Sequence, residues 1–166
     1  MDDLLEVVAL LAANDGAVEV IPSGGVRQRM LEQVTGPERY APFTRRIAAF
    51  FDVSEESARE SLVGLTRGPY EPLGISGFAR HPAPLGCPLR GAMFLVLDPG
   101  TRCPPHRHLG RERLLVLEGA FAETDGARYG PGDLAEKPTS SSHSFQVAEQ
   151  GPCVCAYTIE HGVEFS

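Results

Sequence analysis

Between Gly100 and Gly119 the chain reads GTRCPPHRHLGRERLLVLEG, a stretch in which two histidines and a glutamate are spaced as candidate metal ligands. His106 and His108 are two apart, so on a strand both imidazoles stand on one face. Gly110 permits a turn, and Glu112 opens the next apolar run, from which its carboxylate can return to the same metal. Further on, Lys137-Pro138 leads through a serine-rich loop to His143, at the start of HSFQVA. Three imidazoles and a carboxylate converging inside a barrel of antiparallel strands offer four lone pairs, a set suited to a first-row divalent ion.

The elements around these residues read as short strands. Of the 14 prolines, 11 lie after position 66, as do 13 of the 18 glycines. Such punctuation suits strands and turns and opposes long helices. The run RLLVLEGAFAETDGARYGPGD reads as a strand, a second short strand and a hairpin turn at Asp125-Gly126, with another turn at Gly130-Pro131-Gly132. The first 66 residues differ. Leu4, Val7, Val8 and Leu11 keep a helical repeat that stops at Asn14-Asp15-Gly16. Ser23 is placed to cap a second helix carrying Val26, Met30 and Val34, and Phe43, Ile47 and Phe50 form a third stripe. Ser54 caps a fourth, with Glu55 and Glu56 at its positive end and Ala58, Leu62 and Leu65 inward. The expected organisation is a helical segment over 1–66 and a metal-binding barrel over 67–166.

The third and fourth helices, RRIAAFFDVSEESARESL, have the outline of a helix-turn-helix. Their charge opposes it. The would-be recognition helix presents Glu55, Glu56 and Glu60 against Arg59, and residues 1–66 hold 11 acids to 6 bases. A groove-reading face is basic, so the expectation is a helical hairpin packed on its neighbour and no nucleic-acid partner. The net charge of −7 points the same way and argues against an anionic membrane. The longest apolar run, Val7 to Ala13, is too short to span a bilayer. No basic residue precedes Arg27, so no secretory signal is expected and the chain reads as soluble and cytoplasmic.

Four cysteines without a CxxC pair argue against zinc ribbons, thioredoxin-like sites and a disulfide framework. They are expected to be reduced, packed thiols, with Cys153 and Cys155 on one face of a strand.

A lone His-x-His arises by chance on strand surfaces, but the whole spacing here is tighter. Gly100, His106, His108, Glu112 and Gly119 form one block, and Gly132, Pro138 and His143 a second. Together the blocks resemble the two sequence motifs of the cupin superfamily. That resemblance implies a mainly β fold, a jelly-roll (double-stranded β-helix) barrel preceded here by the small helical segment, with one metal ion on His106, His108, Glu112 and His143. Ser140 stands where cupins usually have Gly, and Val147 where Asn is common.

The segments PPHRHLGRERLLVLEGAF and PGD look most like the C-terminal cupin of ChrR-type zinc anti-sigma factors. RQRMLEQVTGPERYAPFTRRIAAFFDVSEESARESL is similar to the helical connector before that cupin. The resemblance covers roughly residues 25–160. Such proteins begin with a sigma-binding zinc domain marked by histidines and a CxxC, whereas here no His precedes His81 and no Cys precedes Cys87. The chain is therefore expected to be the connector and sensor cupin without that head. The resemblance implies a regulatory or sensory metal cupin with zinc as first choice and Fe, Mn or Ni as alternatives. It also implies a protein partner in a regulatory pathway and, at the metal, a small anionic or oxidised ligand. Two other readings stay open: an Fe or Mn dioxygenase, and a structural metal-binding interaction module. A homodimer is expected because jelly rolls have sheet edges and faces to cover. Cys103 is expected to pack against the barrel rather than act as a fifth ligand or redox trigger. His81 and His161 are expected to face solvent, Arg107 to point outward, and Arg111 and Arg113 to pair with surface carboxylates.

Overall fold

The computed structural model describes residues 35–165. The helices expected on Leu4–Leu11 and Val26–Val34 lie outside the described residues. A 3-10 turn, Ala41–Phe43, runs into α1 (Thr44–Phe51), and α2 (Glu55–Leu65) follows. The Ser54 hydroxyl accepts from the Ser57 N–H at 3.1 Å, and Glu55 and Glu56 occupy the first turn of α2, where its dipole favours them. The buried faces are Ile47, Ala48, Phe50 and Phe51 on α1 and Ala58, Leu62 and Leu65 on α2. The α2 face is the stripe the periodicity marks; on α1, Ile47 and Phe50 are as expected, Ala48 and Phe51 join them, and Phe43 lies in the 3-10 turn and is half-buried. The two helices form a hairpin that packs on a sheet.

The strands are β1 (Glu71–Pro72), β2 (Phe78–Pro82), β3 (Met93–Leu97), β4 (Arg102–His108), β5 (Glu112–Glu118), β6 (Phe121–Glu123), β7 (Arg128–Tyr129), β8 (Leu134–Lys137), β9 (Ser142–Val147), β10 (Cys153–Ile159) and β11 (Val163–Phe165). They make two antiparallel sheets, in the orders β1-β2-β3-β10-β5-β8 and β11-β4-β9-β6-β7. The hairpin turn at Asp125-Gly126 joins β6 to β7, with the Ala127 N–H donating to the Asp125 carboxylate at 2.9 Å.

Alternation sorts each central strand between two cores. From β3, β5 and β10, Phe94, Leu115, Leu117, Val154 and Ala156 meet the helices, where the Phe51 and Phe94 rings pack edge to face. Leu95, Leu97, Leu114, Val116, Cys153 and Cys155 turn inward to meet Phe121, Phe145 and Val147 of the other sheet. Cys153 and Cys155 do share a face, their sulfurs 3.6 Å apart as free thiols. Gly119 closes β5 at φ +71°, and a Cβ there would lie 2.1 Å from the Pro152 carbonyl oxygen. Backbone conformation and crowding thus both demand glycine at this motif position.

One expectation fails. His81 does not face solvent but is half-buried, because β2–β3 pairing sets it opposite Phe94 and its ring packs against Phe94 and Tyr70. Its Nδ1 lies 3.3 Å from the Pro69 carbonyl. His161 is exposed. Among the described residues no helix is long and apolar enough to cross a membrane.

Candidate metal centre

Three strands bring the four singled-out residues together at one end of the barrel interior. His106 and His108 come from β4, Glu112 from the start of β5 and His143 from β9, where it is the register partner of His106. One nitrogen or oxygen from each lies within 4.8 Å of all the others. His106 Nε2 and His143 Nε2 are 3.0 Å apart, His108 Nε2 and Glu112 Oε2 3.1 Å, and His143 Nε2 and Glu112 Oε2 3.4 Å. The His108 side chain is fully buried, and those of Glu112 and His143 are each only 5% exposed. Pro104-Pro105 interrupts the β4–β9 ladder just before His106, a bulge at a place where two residues have no N–H to donate.

The far nitrogen of each imidazole faces an acceptor. His106 Nδ1 is 2.9 Å from the Pro104 carbonyl, and His108 Nδ1 is 3.0 Å from the Ser141 carbonyl and 2.9 Å from its hydroxyl. His143 Nδ1 faces Glu123 Oε1 at 3.2 Å, close enough for an ion pair but not aligned as a hydrogen bond. With the proton on Nδ1, each Nε2 turns a lone pair toward the common centre, the arrangement that metal-ligating histidines adopt. The serine-rich loop is tied to His108 by its backbone as well. The His108 N–H donates to Ser141 O and the Ser140 N–H to His108 O, both at 2.9 Å. Ser140 takes φ +68° to do so, a region where the usual cupin glycine carries no Cβ penalty.

Burial pushes the His106 imidazole below its ordinary range, outweighing the Pro104 carbonyl. Burial alone would raise the Glu112 carboxyl, but His143 and His108 hold it below the usual carboxylate range. His143 is displaced upward; burial opposes the shift, and Glu112 and Glu123 overcome it. Within this polar cluster His108 Nε2 and Glu112 Oε2 are buried without a hydrogen-bond partner. Two lone-pair atoms facing each other in a buried site are costly. A divalent cation satisfies both, so the residues present fit one.

Some residues that shape the site carry no local signal. The Tyr157 hydroxyl on β10 donates to Glu112 Oε1 at 3.1 Å and leaves Oε2 for the centre. Glu123 and Ser141 support two of the imidazoles. Glu123 lies in plain hairpin sequence, and Ser141 is one of three consecutive serines. Cys103 is buried in the barrel core with its sulfur 3.5 Å from His106 Nδ1, on the side away from the other ligand atoms. Burial and the Glu112 charge push its thiol up to about 12, so it stays protonated. Arg107 points outward and pairs with Glu164 at 2.8 Å, while Arg111 and Arg113 share Glu136 at 2.7 and 3.0 Å.

Two facing antiparallel sheets with three histidines and a glutamate gathered between them define a cupin barrel. More narrowly, residues 88–162 match the family described as the ChrR Cupin-like domain. The chain is 38% identical over 77 residues to the anti-sigma-E factor ChrR of Cereibacter sphaeroides, a match covering 45% of this chain and 35% of that protein. It is 31% identical over 65 residues to the candidate dimethylsulfoniopropionate lyase DddL of the same organism, covering 39% of this chain and 28% of that one. The chain thus spans about a third of the length of the curated relatives it matches. The crystal structure of Rhodobacter sphaeroides SigE in complex with the anti-sigma ChrR shares the fold, with a TM-score of 0.50 and 24% identity over 95% of this chain and 77% of that one.

Proposed function

We propose that this chain is a metal-binding regulatory cupin, with residues 1–66 as its helical segment and 67–166 as a barrel that holds one divalent ion. The ligands are His106, His108 and His143 through Nε2 and Glu112 through Oε2, with zinc the first choice. The observation that carries the reading is the pair of buried, unpartnered atoms, His108 Nε2 and Glu112 Oε2, directed at one another. A bound divalent ion supplies positive charge and Lewis acidity there, leaving the quartet at +1 and attractive to a small anionic ligand. The near-complete burial of all four side chains favours a closed regulatory or structural site over a freely accessible catalytic one.

The anti-sigma relative supports a protein partner in a regulatory pathway. Residues 1–66 contain neither His nor Cys, so this segment has no zinc-dependent grip on a sigma factor, and any partner is held there by a metal-free surface. A sigma factor retained by residues 1–66 and released by a chelator would contradict this. We also propose that the chain self-associates as a dimer, which light scattering at micromolar concentration tests.

The DddL match favours a second reading, a metal-dependent enzyme. Four protein ligands close tetrahedral zinc but leave two positions free on octahedral Fe, Mn or Ni. Elemental analysis of protein purified without added metal separates the readings. Stoichiometric zinc supports the regulatory site, and stoichiometric iron, manganese or nickel supports the enzyme. Protein that takes up no divalent ion when offered one defeats both.

A further inference from the structure

Glu123 and Lys137, which no ligand pattern marks, meet beside the metal centre. Lys137 ends β8 and is the register partner of Glu112, so it shares the inward face of that carboxylate. Its ammonium donates to Glu123 Oε2 at 2.6 Å, joining the six-stranded sheet to β6 of the five-stranded one. The side chains are 16% and 1% exposed, so this is a sheltered ion pair. The other carboxylate oxygen, Oε1, lies 3.2 Å from His143 Nδ1, and neither atom has another partner.

The Pro104 and Ser141 carbonyls serve the other two imidazoles from the backbone. Only His143 relies on a charged side chain from another strand, itself secured by a cation from the opposite sheet. We propose that Glu123 is the positioning residue that orients His143 for metal ligation, and that Lys137 holds Glu123 in place. This rests on the metal reading above. Without Lys137, the buried Glu123 carboxylate would face a second carboxylate, Glu112, across the same imidazole. With it, the pair adds no net charge to the centre. The chain Lys137–Glu123–His143 belongs to the carboxylate–histidine–metal type, in which the outer group fixes the tautomer and raises ligand basicity.

The test measures zinc affinity of the full chain by chelator competition, and the visible spectrum of the cobalt-substituted protein, in five variants. E123A and the isosteric E123Q are expected to weaken zinc by about 10- to 100-fold and to change the cobalt bands. K137M is expected to do the same more weakly. H143A is expected to weaken zinc more than any of these, and E123A added to H143A to cost nothing further, since a positioning residue has no effect without the ligand it positions. E123Q carries the test if E123A does not fold. Wild-type affinity and spectrum in E123Q, beside a loss in H143A, would overturn the proposal and leave the metal reading standing. So would an E123A effect that persists undiminished without His143, which marks a merely structural role. Wild-type zinc affinity in H143A would remove the metal reading, and this proposal with it.

Discussion

The six-stranded sheet is used on both faces, and the faces obey different rules. Outward, Phe94, Leu115, Leu117, Val154 and Ala156 meet the helices in a mainly apolar core. Inward, the same strands contribute Leu95, Leu114, Val116, Cys153 and Cys155, but that core ends in Glu112, His106, His108, His143 and Glu123. The outward core is non-directional, and its strength follows buried area. The polar end of the inward core depends on aligned donors and acceptors, so a shift too small to matter against the helices leaves an unsatisfied charge there. The contrast separates what holds this chain folded from what the barrel does.

The strongest break in that contrast is His108→Ala with His143→Ala. Bound metal should fall from one ion per chain to none by elemental analysis, while the far-ultraviolet circular dichroism of the folded protein persists. Full occupancy in this double variant would remove the ligand assignment. On the other side, Phe51→Ala empties a fully buried position between helix and sheet. It should cost about 3–5 kcal/mol in denaturant unfolding and leave the metal content of the folded fraction at wild type. A metal loss in that variant would show the two faces to be coupled. Stripping the metal with a chelator should lower the unfolding free energy by about 2.7 kcal/mol relative to protein holding the ion at a hundred times its dissociation constant. Re-addition should restore it in a thermal scan.

Smaller effects sharpen the picture. Tyr157→Phe removes the hydroxyl on Glu112 Oε1 while keeping the ring, and metal affinity should drop by about tenfold. Arg107 stands between the two β4 histidines but faces the opposite way to pair with Glu164 in solvent. Arg107→Ala should change stability by no more than about 1 kcal/mol and leave metal binding as it was. An affinity loss there would mean that the outer surface of β4 reaches the centre.

What could be read from sequence followed the range of the interaction. The α1 and α2 stripes, the Ser54 cap, the Asp125-Gly126 turn and the His106/His108 face are set by neighbours a few residues away. The quartet was legible because two spaced motifs encode its geometry. Its supports were not. Tyr157 reaches Glu112 across 45 positions, and Ser141 reaches His108 across 33. Such contacts depend on register between strands, which local pattern does not specify. The half-burial of His81 has the same origin, since it follows from pairing opposite Phe94 and from the approach of α2 at Gly64. The turn at Ser140 shows the converse: the backbone takes a glycine-like φ of +68° although the residue is not glycine.

The place of β10 bears on how the six-stranded sheet is closed. It is the tenth of the eleven strands among the described residues, yet it lies between β3 and β5 in the middle of the six-stranded sheet. All four residues of the quartet therefore precede, along the chain, the strand that lies between β3 and β5. Without β10 in place, β3 and β5 would each expose an unpaired edge and two apolar faces, the surface that aggregates grow from. A chain lacking Cys153–Ile159 would keep all four residues of the quartet and lose the strand that joins β3 to β5.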